Sequence, residues 1–308
     1  MPRIALTTVM LLLLLALANA AQAQQYVFRS VDVPGAAWTL MGGNNNAGSI
    51  TGCYQVEGFS SNYVGVLLSN AAFKPVKYPK SVSSCLYGAS NNGELAGAYS
   101  DSSSKVHGFT LKGTTFVTID YSGAVDTYVN DVNNAGVAAG DYFDGSANHG
   151  FTWQGGTFTH IDFPGASDTF VQSINNSNQV VGTYALGGTN HGFQLSGTTY
   201  TTIDYPGAVF TAAYGINNNG QIVGFYYGTD TIDHAFTDFS GVFSTVDYPG
   251  SSASALTGIN DAGQVVGQWF GSGTKAGYDE HGYLASPIPG TPDPLGNKLR
   301  RAETSPHR

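Results

Sequence analysis

The sequence predicts an all-β protein: a six-bladed β-propeller whose blades are four-stranded antiparallel sheets. Three observations carry that expectation. Short runs of Val, Ile, Thr, Tyr and Phe alternate with Gly-, Asn- and Pro-rich punctuation and show no helical period, as in HGFQLSGTTYTTIDYPGAVFTAAYGINNNGQIVGFYYGTDTID from His191 to Asp233. Landmarks recur at a near-constant interval: His107, His149, His191, His234 and His281 stand 42, 42, 43 and 47 residues apart, and Gly52, Gly97, Gly140, Gly182, Gly224 and Gly267 stand 45, 43, 42, 42 and 43 apart. A period near 42 with four strands per unit is that of propeller blades, whereas β-helices use shorter coils. Composition agrees, since 41 Gly, 18 Tyr and 17 Phe with only 11% charged residues describe sheets that turn often and bury both faces.

Along the 308 residues, Met1 to about Ala23 comes first, with one cation at Arg3, an apolar run from Val9 to Leu17 and the small-residue patterns Ala18-Asn19-Ala20 and Ala21-Gln22-Ala23. This reads as a signal peptide (residues 1–23), which places the mature chain outside the cytoplasm, secreted or periplasmic. Residues 24–286 form the repeat domain. From 287 to 308 the pattern stops: Pro287-Ile288-Pro289-Gly290 leads into a polar, basic end that reads as a disordered tail. No later stretch is long and apolar enough to span a bilayer.

The net charge of −9 is uneven, because Lys298, Arg300, Arg301 and Arg308 lie at the end while no Lys or Arg occurs between Lys112 and Lys275. An acidic body without a basic stripe excludes nucleic acid as the expected partner. In an exported protein Cys53 and Cys85 would form one disulfide; two buried free thiols is the alternative.

Six copies of each landmark fix the blade boundaries. The Val-Asp-Tyr-Pro-Gly element recurs at Asp32, Lys77, Asp120, Asp162, Asp204 and Asp247; the Asn-Asn-x-Gly hairpin ends at Gly48, Gly93, Gly136, Asn178, Gly220 and Gly263. The strand bearing His is at Val64, His107, His149, His191, His234 and His281. The chain therefore starts and stops in mid-unit. Pairing the N-terminal strand (26–33) with the C-terminal strand (281–285) would complete the sixth blade and leave no open edge. The Asn hairpins then lie on one face, and the Pro-Gly crossovers and longer loops on the other, the loop face.

The His-Gly-Phe or His-Ala-Phe strand, HGF at His107, His149 and His191, HAF at His234 and HGY at His281, together with GINNNGQIVG, resembles the bacterial extracellular HAF-repeat proteins over residues 26 to 285. The resemblance implies an exported repeat protein and supplies no catalytic residues. The first unit departs from it, with Val64-Gly65-Val66 at the position of the His strand.

Repeated polar residues are assigned to the fold. Thirteen residues after each His stands an Asp, giving His107 with Asp120, His149 with Asp162, His191 with Asp204, and His234 with Asp247, while His281 meets Asp32 only through ring closure. The first unit has lost both, carrying Val64 and Lys77. Joint presence and joint absence point to one structural His–Asp pair per blade, a buried His donating to its aspartate. Thr39, Ser84, Thr127, Thr169, Thr211 and Ser254 are placed in the same network, and Tyr54, Tyr99, Tyr142, Tyr184, Tyr226 and Trp269 in the core. The Asn turns lack the alternating carboxylates of a calcium loop and read as tight hairpins. No metal or cofactor is expected.

Function is sought where copies differ. The residue opening each inner strand on the loop face is Trp38, Ser83, Asp126, Asp168, Phe210 or Ala253, so Trp38, Asp126, Asp168 and Phe210 are the candidate ligand contacts at the mouth of the central channel. The loop from Gly271 to Glu280 and that around Glu57, Phe59 and Tyr63 are the irregular ones beside it. The sequence contains no Gly-x-Ser-x-Gly elbow, phosphate loop or catalytic Cys. The reading is an exported, monomeric, non-catalytic binding or structural module taking carbohydrate or another extracellular ligand. A polysaccharide hydrolase or lyase using Asp126 and Asp168, and a protein–protein scaffold, are the alternatives.

Overall fold

A computed structural model describes residues 24–56, 62–271 and 280–289. The segment read as a signal peptide, the tail from 290, and the loop stretches 57–61 and 272–279 lie outside the described residues. Twenty-four strands form six four-stranded antiparallel sheets. Five blades are consecutive in the chain, with inner strands Ala36–Asn44, Ser83–Ala89, Asp126–Val132, Asp168–Ile174 and Phe210–Ile216 for blades 1 to 5. Blade 6 runs from the inner strand Ala253–Ile259 through Val265–Phe270 and Glu280–Pro287 to Tyr26–Ser30, so its outer strand comes from the other end of the chain. That closure is sealed where Val31 N–H donates to the Gly282 carbonyl at 2.8 Å. Each inner strand touches the inner strands of both neighbours, which closes the ring within the compact unit Phe28–Ser286. No described helix is long and apolar enough to cross a membrane.

A β-bulge interrupts every inner strand at the same place. In blade 4, Val171 pairs with Gly182 and Ser173 with Val181, leaving Gln172 without a partner. Tyr87, Asn130, Tyr214 and Thr257 are skipped in the same way, and in blade 1 the irregularity falls on Gly42 and Gly43. Bulging bends the inner strand onto its neighbour, which explains the repeated glycine. A Cβ at Gly52, Gly97, Gly140, Gly182, Gly224 or Gly267 would collide with the carbonyl oxygen of Leu40, Cys85, Tyr128, Phe170, Ala212 or Ala255, respectively.

Between blades lie apolar layers such as Val129, Ile119 and Phe151, all essentially inaccessible, and hydrogen bonds at both ends of the inner strands. At the hairpin end a closed circle runs round the axis. The backbone N–H of Asn46 donates to Asn91 Oδ1, Asn91 to Asn134, Asn134 to Asn176, Asn176 to Asn218, Asn218 to Asp261, and Asp261 back to Asn46, all at 2.8–2.9 Å. In five of the six turns the preceding residue is Asn, such as Asn175, which accepts two backbone N–H groups of its own hairpin through Oδ1 and donates Nδ2 to the next blade's carbonyl; blade 2 has Ser90, whose hydroxyl bonds within its own hairpin. The Asn-rich turns are therefore hairpins and also inter-blade clamps, each bond contributing about 1 kcal/mol net.

At the other end, the hydroxyl of Thr39, Ser84, Thr127, Thr169, Thr211 or Ser254 accepts the backbone N–H of the crossover residue six positions earlier, at 3.0–3.1 Å. The disulfide joins Cys53 of blade 1 to Cys85 of blade 2. Gly182→Ala should cost about 3 kcal/mol or more, because backbone lies opposite and cannot yield as a side-chain tip would; urea unfolding of the variant checks this, with a midpoint equal to wild type as the contrary result.

Candidate functional site

The six bulge residues share one destination. Gly42, Tyr87, Asn130, Gln172, Tyr214 and Thr257 all line a cavity of about 290 Å³ on the ring axis, joined there by Leu40, Met41, Phe225, Ala255 and Gln268. A bulge re-aims one side chain out of the ladder, and the bulges at equivalent positions turn five side chains and one glycine inward. These residues differ from blade to blade: two phenols, two amides, one hydroxyl and one glycine; Asn130 Nδ2 and Thr257 Oγ1 in addition donate to the Val171 and Met41 carbonyls of the next blade at 2.8 Å. A tighter space of about 80 Å³ lies at the hairpin end within the Asn circle.

One sector of the axis is acidic. Asp141, buried on the strand beside the Asn130 bulge, accepts Asn130 Nδ2 at 2.7 Å. Burial pushes its carboxyl up to about 7, only partly countered by that bond. Asp131, next along, accepts Ser173 Oγ at 2.7 Å and Ile174 N–H at 3.1 Å from blade 4. Its carboxyl is likewise raised by burial, to about 6, against these hydrogen bonds. Burial also raises the Tyr214 phenol, with the charges of Asp141 and Asp233 adding to the effect, so it stays a neutral donor and acceptor.

The four residues singled out at the strand starts are placed elsewhere, on contacts of their own. Trp38 Nε1 donates to Gln55 Oε1 at 2.8 Å, and its ring packs on Tyr63 at 5.1 Å. Asp126 Oδ1 accepts the Val106 N–H of blade 2 at 2.8 Å, and Asp168 Oδ1 accepts both the backbone and side-chain nitrogens of Asn148 of blade 3 at 3.0 Å. Phe210 stacks on Tyr227 at 4.7 Å. The two aspartates thus tie each blade to its predecessor. Partial burial would raise the Asp168 carboxyl, but the Asn148 and Ser167 hydrogen bonds outweigh it and hold the group below the usual range, the reverse of what a general acid requires.

The His–Asp pairs come within hydrogen-bond reach in all five blades that carry them. Nδ1 lies 2.9 Å from Asp120 for His107, 3.0 Å from Asp162 for His149, 2.9 Å from Asp204 for His191, 2.7 Å from Asp247 for His234 and 3.3 Å from Asp32 for His281. They are partly exposed rather than buried, with His side chains 15–33% and Asp side chains 32–45% accessible. The ion-pair contribution of each is therefore about 1 kcal/mol or less. Packing adds to it, since each His caps an aromatic stack: Tyr121 on Tyr142 at 3.7 Å and Tyr142 on His149 at 5.1 Å in blade 3.

The bulge residues were not legible as a set, because a bulge adds one residue without changing the repeat length. The signal was present nonetheless: four positions after the Trp38/Asp126/Asp168/Phe210 site, between near-constant apolar and small residues, the copies read Gly, Tyr, Asn, Gln, Tyr and Thr.

No protein-family model and no curated protein sequence matches the chain. Solved structures do. AofleA from Arthrobotrys oligospora superposes with a TM-score of 0.52 at 10% identity, covering 84% of this chain and 86% of that one. The neuraminidase-like protein of subtype N11 from A/flat-faced bat/Peru/033/2010 (H18N11) gives 0.51 at 11%, covering 89% and 96%. The fungal lectin of Aleuria aurantia, whose structure is described as a six-bladed β-propeller with a fucose recognition mode, gives 0.43 at 10%, covering 88% and 97%. With AofleA and the neuraminidase-like protein the shared feature is the fold alone.

The acidic sector sets a pH dependence. A carboxyl raised by folding stabilises fully below its unfolded value, near 4, and loses that contribution as pH rises through its folded value. Stability should thus fall between pH 4 and pH 8 as Asp131 and Asp141 ionise, by up to about 4 kcal/mol for Asp141. Asp141→Asn should raise the Tm at pH 8 by several degrees and change it little at pH 4; thermal scans at both values check this, and equal shifts at the two would contradict it.

Proposed function

We propose that this protein is an exported, non-catalytic carbohydrate-binding propeller whose ligand site is the axial cavity. One observation carries the reading: the six inner-strand bulges direct side chains that differ from blade to blade into one space. Two phenols and the ring of Phe225 supply flat apolar faces for sugar C–H groups, while Gln172 and Gln268 supply neutral donors and acceptors for hydroxyls. At about 290 Å³ the cavity is at the small end of the ligand-site range, the scale of one or two sugar rings. Export is supported by the apolar leader Val9 to Leu17 and by the Cys53–Cys85 disulfide, which persists in an oxidising compartment.

The loop-face rim is the second candidate surface, favoured by the aromatic pairs Trp38–Tyr63 and Phe210–Tyr227. Its Trp38 N–H and both aspartates already hold protein partners, which leaves them less to offer a ligand. A glycan array probed with the mature domain, followed by titration of the glycan bound, should show Gln172→Ala and Tyr214→Ala weakening binding tenfold or more, a loss of about 1.4 kcal/mol or more, with Trp38→Ala near wild type. Loss with Trp38→Ala and Asp168→Ala alone would move the site to the rim. Release of reducing ends from polysaccharide would replace binding by hydrolysis.

A further inference from the structure

Blade 3 carries two histidines where each other blade carries at most one. His149 Nδ1 lies 3.0 Å from Asp162 Oδ2, and His160 Nε2 lies 2.8 Å from the same oxygen. Among the described residues this is the one group of three His, Cys, Asp or Glu side chains whose donor atoms all lie within 4.8 Å of one another. We infer that His149, His160 and Asp162 form a site for a divalent transition metal, zinc being the ion that two imidazoles and a carboxylate suit best.

The surroundings are those of a metal site as well as its donors. Zinc ligands need their far side held, so that ring orientation and tautomer are fixed. His149 Nε2 lies 3.4 Å from Asp144 Oδ2, and His160 Nδ1 lies 3.2 Å from Tyr142 Oη. Each imidazole is thus anchored by one nitrogen and presents the other to the Asp162 carboxylate. Zinc bonds of about 2.1 Å put tetrahedral ligands about 3.4 Å apart, so the 2.8 and 3.0 Å separations open by roughly half an ångström while the two imidazole nitrogens, within 4.8 Å of each other, settle to the same spacing. The side chains of His160 and Asp162 are 46% and 39% accessible, which leaves a solvent-facing fourth position. His160 also lines the groove of about 700 Å³ walled by Trp153 and Tyr200, so an ion can reach it.

The fold does not call for His160. At the same position blades 2, 4 and 5 carry Thr118, Thr202 and Thr245, whose hydroxyls bond the stacked tyrosines Tyr78, Tyr184 and Tyr226 at 2.6, 2.9 and 2.9 Å. The pairs His107–Asp120, His191–Asp204 and His234–Asp247 form there without a second imidazole. Two N–H groups on one carboxylate would account for the geometry as a hydrogen-bond cluster alone, and zinc decides between the two.

The test is calorimetric titration of zinc chloride at pH 7.5 into the full chain carrying no affinity tag, beside His160→Thr, which copies the sibling blades, and His160→Gln as a guard against a local folding defect. The inference expects one equivalent bound with micromolar or tighter affinity, at least tenfold weaker binding in both variants, and cobalt(II) giving visible absorption bands in the wild type only. No saturable zinc binding, or binding unchanged in both variants, overturns it.

Discussion

The bulge in each inner strand is the constraint from which the rest of the structure follows. It bends the strand, brings its carbonyl against the second strand and so demands glycine at Gly52, Gly97, Gly140, Gly182, Gly224 and Gly267. The same distortion lifts one side chain out of the ladder towards the axis. A single backbone irregularity therefore makes one position in each blade invariant and turns another, which varies, towards the cavity. Cores of close-packed sheets tolerate little change in volume, so chemistry that must vary is best placed where packing does not reach.

Around the axis the ring is held by a polar belt at the hairpin end. The hairpin circle from Asn46 to Asp261 returns on itself, and each donor is an N–H whose blade supplies an acceptor to the previous one. At the other end the Thr and Ser hydroxyls act locally, each fixing the crossover that leads into its own inner strand. With blade 6 assembled from two distant parts of the chain, this belt and the Cys53–Cys85 link resist opening of the ring at places where no loop crosses between neighbours. The partly exposed His–Asp pairs contribute less to this than the stacked rings beneath them.

Much of the architecture was legible in the sequence because repetition multiplies weak signals. A lone Asn-Asn-x-Gly is a turn, but six at a 42-residue interval fix blade number, strand order and closure. Other features depend on through-space relations that the repeat does not encode. The Asn side chains satisfy their own turns, so nothing local shows that they also bind the next blade. His160 falls on an outer strand between ordinary β-formers, and only the fold brings it to Asp162. Likewise the variable residues at the strand starts look functional by sequence, yet Asp126 and Asp168 are engaged with neighbouring backbone, while the bulge residues four positions on line the cavity.

The central claim is that a bulge aims its side chain at the cavity and not into the apolar layer between blades. It is tested most directly by comparing the thermal unfolding of Gln172→Thr, which copies Thr257 of blade 6, with that of Val171→Ala one residue away in the inter-blade core. The account predicts a Tm within about 2 °C of wild type for the first and a fall of several degrees for the second. Equal destabilisation by the two substitutions would contradict it.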